Sequence, residues 1–121
     1  MSSPEPHAAP GDPAPVFAAP VFAALGDATR LALIARLSDG RPRSIVQLTD
    51  GLGLTRQGVT KHLRVLERAG IVASTRVGRE SRYAFTPAPI VGVRTYLDRV
   101  SQQWDDALIR LRAFVEDDGS D

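Results

Sequence analysis

The chain has no cysteine among its 121 residues, one methionine, one tryptophan and two tyrosines. Without cysteine there can be no disulfide, no thiolate metal site and no cysteine nucleophile. Histidine is scarce too. His7 and His62 are far apart in the sequence and make no ligand pair at helical spacing. Zinc and related ions favour histidine nitrogen and cysteine sulfur, so no metal site is expected. No run of about 18 apolar residues is present, and the N-terminus lacks the basic start and apolar core of a signal peptide. A cytoplasmic protein with no membrane partner is the expectation. Phosphate-cradling glycine loops, paired carboxylates in a cleft and an activated Ser/His/Asp set are all missing. No catalytic or cofactor-binding residues are therefore expected, and the chain reads as something other than an enzyme.

What is there is an uneven distribution of charge. The net charge is only +1. Residues 41–82 nevertheless carry nine Lys/Arg against three acids, while residues 1–40 and 83–121 are net acidic. A basic middle between acidic ends suits a surface that meets a polyanion. The plain alternative is a solvated charged face.

Residues 1–15 are rich in Pro, Ala and Ser without periodicity and read as a disordered tail. Residues 16–116 read as one domain, and 117–121 as an acidic, frayed end. "VFAAPVFAALG" is a short apolar helix, restarted at Pro20 and ending at Gly26. Asp27 caps a second helix over Ala28–Ser38, whose Leu31, Ile34, Ala35 and Leu37 supply a buried face. "RPR" is a loop. Ser44 and Gln47 have capping-box spacing, so a short helix starts at Ile45. Gly51 and Gly53 interrupt it, and Thr55 caps a helix over Arg56–Ala69. Two helices joined by a glycine-containing turn make a helix-turn-helix. "VASTRV" and "RYAFT" then form a β-hairpin around Gly78–Ser81. Pro87 and Pro89 end it. A long helix follows from Ile90 to Glu116, with Leu97, Val100, Trp104, Ala107, Leu111 and Phe114 in a heptad seam. The expected fold is mainly α with a small β-hairpin, in the order α-α-α-α-β-β-α, a winged helix-turn-helix.

The 56–69 helix places Val59, Leu63 and Leu66 on one stripe toward the core. Arg56, Gln57, Thr60, Lys61 and Arg64 then lie on exposed faces or at the exposed start. Recognition helices present such N-terminal residues to base edges in the major groove. Arginine suits guanine O6/N7, glutamine suits adenine N6/N7, and threonine reaches a base, a phosphate or a thymine methyl. Lys61 and Arg64 would neutralise phosphates. An ordinary amphipathic surface helix is the alternative. Its position after a helix-turn-helix turn and before a basic hairpin favours DNA. Arg76, Arg79 and Arg82 around the hairpin tip would reach an adjacent minor groove or its phosphates, or only keep an edge strand soluble. His62 is expected to be half-buried, packing or touching a phosphate rather than acting as a ligand.

"LGDATRLALIARL", "LTRQGVTKHLRVLERAGIV" and "VGRESRYAF" resemble the winged helix-turn-helix repressors of the ArsR type, over about residues 16 to 116. The resemblance implies a homodimer built on the first and last helices, here Phe22 with Leu97, Val100, Trp104, Ala107, Leu111 and Phe114. It also implies binding to an inverted repeat in a promoter, with reading positions at Arg56, Gln57, Thr60 and Lys61 and a wing at Gly78 to Arg82. Many members sense metals through cysteines on the helix before the recognition helix, where this chain reads "SIVQLTDGL". Others use Asp/His and His/Glu ligands on the last helix, which here has Asp98, Asp105 and Asp106 but no histidine. A non-metal branch is implied, its effector a small molecule or protein, or none. The alternative is a winged-helix protein-interaction module that does not bind DNA.

Overall fold

Asp27 sets the first sharp boundary in the chain. Its carboxylate accepts from the backbone N–H of Arg30 at 3.1 Å and caps a helix. In the computed structural model, which describes residues 14–119, this helix is α2 (Ala28–Leu37), preceded by α1 (Ala18–Leu25). β1 (Arg43–Ser44), α3 (Ile45–Thr49), α4 (Arg56–Arg68), β2 (Val72–Val77), β3 (Glu80–Phe85) and α5 (Ala88–Gly119) follow. The tail expected over 1–15 lies almost wholly outside the described residues, as does the end of the acidic segment. Two compact units partition the described chain, one over 15–93 and one over the rest of α5.

Within the first unit, α1, α2, α3 and α4 close around one core. Val21, Leu33, Leu37, Leu48, Val59, Leu63, Leu66 and Ile71 are each 0% exposed. Each such side chain contributes about 1.5–3 kcal/mol by leaving water. Two expectations about the early helices are corrected. Pro20 does not restart α1, because it falls in the first turn, where its missing N–H would have no helical partner anyway. On α2 the buried residues are Leu33 and Leu37, with Ile34 half-buried. Leu31 is 50% exposed and Ala35 is exposed. The α2 stripe is set by packing on both α1 and α4, which the helix's own periodicity does not specify.

The "RPR" loop contains a strand. Arg43 and Ser44 pair with Tyr83 and Arg82, so the hairpin becomes a three-stranded antiparallel sheet in the order β1-β3-β2. The hairpin turn is tighter than read, since Val77 pairs with Glu80 and only Gly78 and Arg79 lie between. Gly78 has φ +64° and Arg79 is not left-handed, the pattern of a II′ turn with glycine at its first central position. The capping box at Ser44 is present: Gln47 N–H donates to Ser44 Oγ at 3.2 Å, and Ser44 N–H donates to Gln47 Oε1 at 2.9 Å.

α4 begins at Thr55, whose Oγ1 accepts from Gly58 N–H at 3.0 Å. It ends one residue earlier than read, in a Schellman motif. Gly70 N–H donates to Glu67 O and Ile71 N–H to Leu66 O, both at 2.9 Å, with Gly70 at φ +78°. α5 starts two residues earlier than read, because Pro89 is acceptable in a helix's first turn. It also runs three residues further than expected. Near its start, bare Gly92 admits the Phe17 ring, which would stand 2.8 Å from an added Cβ.

The second unit is the remainder of α5, a helix of 32 residues in all and thus about 48 Å long at 1.5 Å per residue. Of the six expected seam residues, Val100 and Ala107 are half-buried, while Leu97, Trp104, Leu111 and Phe114 are exposed. Leu108, Ile109 and Val115 are exposed as well and were not part of the seam as read. Among the described residues no single helix is long and apolar enough to cross a membrane.

Candidate nucleic-acid interface

The stripe Val59–Leu63–Leu66 is fully buried, which fixes the rotation of α4. Its opposite side must then face outward. At about 100° per residue, Arg56, Gln57, Thr60, Lys61 and Arg64 fall within one arc of about 140°. Arg56, Gln57, Lys61 and Arg64 are exposed and Thr60 is half-buried. The Thr60 hydroxyl donates to Arg56 O at 2.7 Å. Its proton is therefore held by the helix, leaving the methyl and the oxygen lone pairs to meet a ligand. Arg68 lies on the same exposed face in the last turn and was missed by the sequence reading. Its spacing from Lys61 and Arg64 was the available signal.

Cross-strand pairing sorts the wing residues by face. Ser74 pairs with Tyr83, Arg76 with Ser81, and Thr75 with Arg82. Alternation along the strands puts Ser74 and Arg76 on the face of buried Tyr83, and puts Arg82 and Glu80 on the other. The Ser74 hydroxyl donates to the Glu67 carboxylate, joining the wing base to α4. Tyr83 sits beneath this junction. Burial, and then the Glu67 charge, push its phenol above the ordinary tyrosine value against the opposing effect of Arg64.

The three wing arginines are thus not equivalent. Arg79 lies in the turn itself. The Arg76 guanidinium donates to Gly78 O at 3.3 Å. Arg82 lies on the far face, 3.0 Å from Glu80, where it lines an open polar groove with Pro42, Ser44 and Gln47. Arg43, part of the basic middle, is also engaged. It pairs with Asp39 at 2.7 Å and holds that carboxyl well below the usual carboxylate range. Within the basic middle, α4 thus offers exposed Arg56, Lys61, Arg64 and Arg68 and the wing turn offers Arg79, with Arg41 exposed ahead of β1. Nearby Glu67 and Glu80 are occupied by Ser74 and Arg82.

Two further arginines hold the reading unit in place. Arg36 of α2 donates to Leu48 O at 2.9 Å and to Asp50 O, closing the end of α3. Arg30 caps the end of α1 through Ala24 O at 2.6 Å and Ala23 O at 3.1 Å. Its remaining nitrogen lies 3.3 Å from His62 Nδ1 on α4. His62, whose side chain is 26% exposed, also lies 3.8 Å from Asp27 Oδ1. It is half-buried, as expected, with Arg30 and Asp27 as its polar neighbours. Among the described residues no group of three or more His, Asp or Glu could hold a metal ion.

Residues 25–75 match a helix-turn-helix domain family. The chain is 34% identical over 98 residues to the HTH-type transcriptional regulator Rv2034 of Mycobacterium tuberculosis, covering 81% of this chain and 88% of that one. It is 38% identical over 76 residues to YuzN, an HTH-type transcriptional regulator of Bacillus subtilis, covering 58% of this chain and 83% of the relative. The solved structure of an ArsR-like transcriptional regulator from Rhodococcus sp. RHA1 superposes with a TM-score of 0.77 at 35% identity, covering 84% of this chain and 92% of that one.

Proposed function

Since this chain belongs to the ArsR-like family of winged helix-turn-helix, DNA-binding transcriptional regulators, we propose that it is a homodimeric repressor that reads an inverted-repeat operator without sensing a metal. The observation that carries the reading is the outer arc of α4. Arg56, Gln57, Lys61 and Arg64 are exposed with Thr60 half-buried among them, and the wing that follows α4 carries exposed Arg79 in its turn. Arg56 and Gln57 open the helix, where side chains reach base edges. Lys61, Arg64 and Arg79 take phosphates and set the register, with Arg76 and Arg82 as weaker contributors because their guanidinium groups already have protein partners.

Dimerisation is supported by the apolar side chains that α5 leaves in water. Trp104 and Phe114 are each 65% exposed, and Phe22 on α1 is 39% exposed. A two-fold dimer presents two copies of α4 about 34 Å apart, one turn of DNA. Insensitivity to metals is supported by the donor set, since the chain has no thiolate to offer arsenite. An effector, where one acts, is a small molecule or protein that alters the spacing of the two recognition helices.

Selection of duplexes from a random library, followed by footprinting, tests the reading. The expected outcome is an imperfect inverted repeat, bound with an affinity that falls steeply with salt. A single asymmetric half-site would contradict the dimeric reading. Failure to retain any duplex at low salt would instead favour a protein-interaction module.

A further inference from the structure

His62 occupies an unusual position on the recognition helix. It shares α4 with the proposed DNA contacts, yet its ring is turned inward to the α1–α2 junction. Its Nδ1 has a cation at 3.3 Å and a carboxylate oxygen at 3.8 Å. An imidazole nitrogen can serve only one of these at a time. Unprotonated, Nδ1 accepts a hydrogen bond from the Arg30 guanidinium. Protonated, it has no lone pair for Arg30, meets a like charge and is drawn to Asp27.

We propose that His62 is a proton-sensitive positioning residue, which in its neutral form ties the recognition helix through Arg30 to the end of α1. Arg30 cannot readily retreat, because Ala23 O and Ala24 O hold its other nitrogens. Asp27 is also fixed, as the cap of α2. Its carboxyl is held below the usual carboxylate value, foremost by the Arg30 backbone N–H, so it stays charged in mild acid. The mobile partner is therefore the imidazole, and moving it changes how α4 is seated.

The charged surroundings are few. α2 contributes Asp27 and Arg30, and α1 contributes the two carbonyls that hold Arg30. On α4 itself, one turn away, stand Gly58, Val59, Val65 and Leu66. Glu67 of α4 is turned to Ser74 of β2, and Arg36 of α2 to the end of α3. Histidine is the side chain whose charge ordinarily changes between about pH 5 and pH 8. The tethered form is the one in which Nδ1 carries no proton, so DNA affinity should fall as the medium is acidified.

The inference rests on the DNA-reading role proposed above. Its test uses the full chain and the duplex selected from the random library, with affinity measured by fluorescence anisotropy at constant ionic strength. From about pH 8 to about pH 5.5 the wild-type affinity should fall roughly tenfold, the factor that about 1.4 kcal/mol gives. His62→Asn keeps an acceptor near the Nδ1 position with similar helix propensity but cannot titrate, so it should bind as the wild type does at the high end and lose the pH dependence. Asp27→Asn still caps α2 but removes the anion that welcomes the protonated ring, so it should move the loss of affinity to lower pH. Thermal unfolding of each variant, run alongside, separates seating of α4 from global folding.

Identical pH profiles for wild type and His62→Asn would overturn the inference. So would wild-type binding that tightens in acid and loses that gain in His62→Asn, since it would place His62 on a phosphate. Should His62→Asn fail to fold, an unmoved profile in Asp27→Asn would overturn it alone. Binding without pH dependence removes this inference only, whereas no binding to any duplex removes the DNA reading as well.

Discussion

Arg56 and Arg64 are the same residue type on the same helix, two turns apart, and are assigned different work. In the proposed complex Arg56 opens α4, where a side chain would enter the groove, while Arg64 would lie where the helix passes toward the backbone. Arg56→Ala and Gln57→Ala should each cost about 1–3 kcal/mol on the preferred operator and relax base choice at one position. Arg64→Ala and Arg79→Ala should weaken binding to all sequences about equally and reduce the salt slope by about one. Affinities measured across a panel of operator variants distinguish the two behaviours. If both pairs responded alike, the division into readers and anchors would be wrong. A second residue-scale prediction concerns acid. Asp39 is held below the usual carboxylate value foremost by the Arg43 guanidinium, and Asp27 foremost by the Arg30 N–H. Carboxylates held low stabilise the fold fully above their unfolded pKa, and that contribution disappears as pH falls through the lower folded value. Unfolding midpoints followed downward from pH 5 should therefore drop less in Asp39→Asn than in wild type, and the difference should shrink in high salt because the pair is exposed.

At the scale of elements, the wing depends on how α4 is stopped. Gly70 turns the chain at φ +78°, and Ile71 and Leu66 are buried at the motif's hydrophobic contact. Gly70→Ala places a Cβ in the left-handed region, at a cost of about 1–2 kcal/mol. It also places that Cβ 3.4 Å from Pro89, at the start of α5. A fall in the melting temperature of about 4–8 °C per kcal/mol is expected by calorimetry. An unchanged melting temperature would mean that the helix can end in another way. β1 shows why the sheet was only partly legible. Two residues beside a proline carry no alternation pattern to read, and their strand character comes from Tyr83 and Arg82 across the gap. By contrast, the capping box at Ser44 and the cap at Thr55 were legible, because their hydrogen bonds are local and depend on side chains three residues apart.

For the whole molecule, the exposed apolar side chains of α5 are the decisive feature. Light scattering at micromolar concentration should give twice the 13.0 kDa chain mass. Leu111→Glu together with Phe114→Glu should shift the particle toward the monomer and lower operator affinity, since two linked half-sites bind far better than one. A monomer in the unaltered chain would remove the dimer from the proposal. Zinc, cadmium and arsenite should leave a fluorescent operator complex intact. Release at stoichiometric metal, reversed by a chelator, would overturn the metal-blind part of the reading.

The sequence by itself determined the helix-turn-helix order, the three N-caps at Asp27, Ser44 and Thr55, the buried stripe of α4 and the outward arc opposite it. These follow from periodicity and hydrogen bonds within a few residues, which a linear text records. It also carried the family resemblance, through LGDATR and the α4 run. Tertiary structure alone decided which stripe of α2 is buried, that a short strand starts at Arg43, and that Arg82 and Arg43 are engaged by acids. It alone brought Arg30 and His62 together across 32 positions of sequence. Such pairings depend on how helices rotate against one another. That rotation is set by the shared core, where burial of Leu33, Leu37 and Leu63 outweighs any local preference of the residues that surround them.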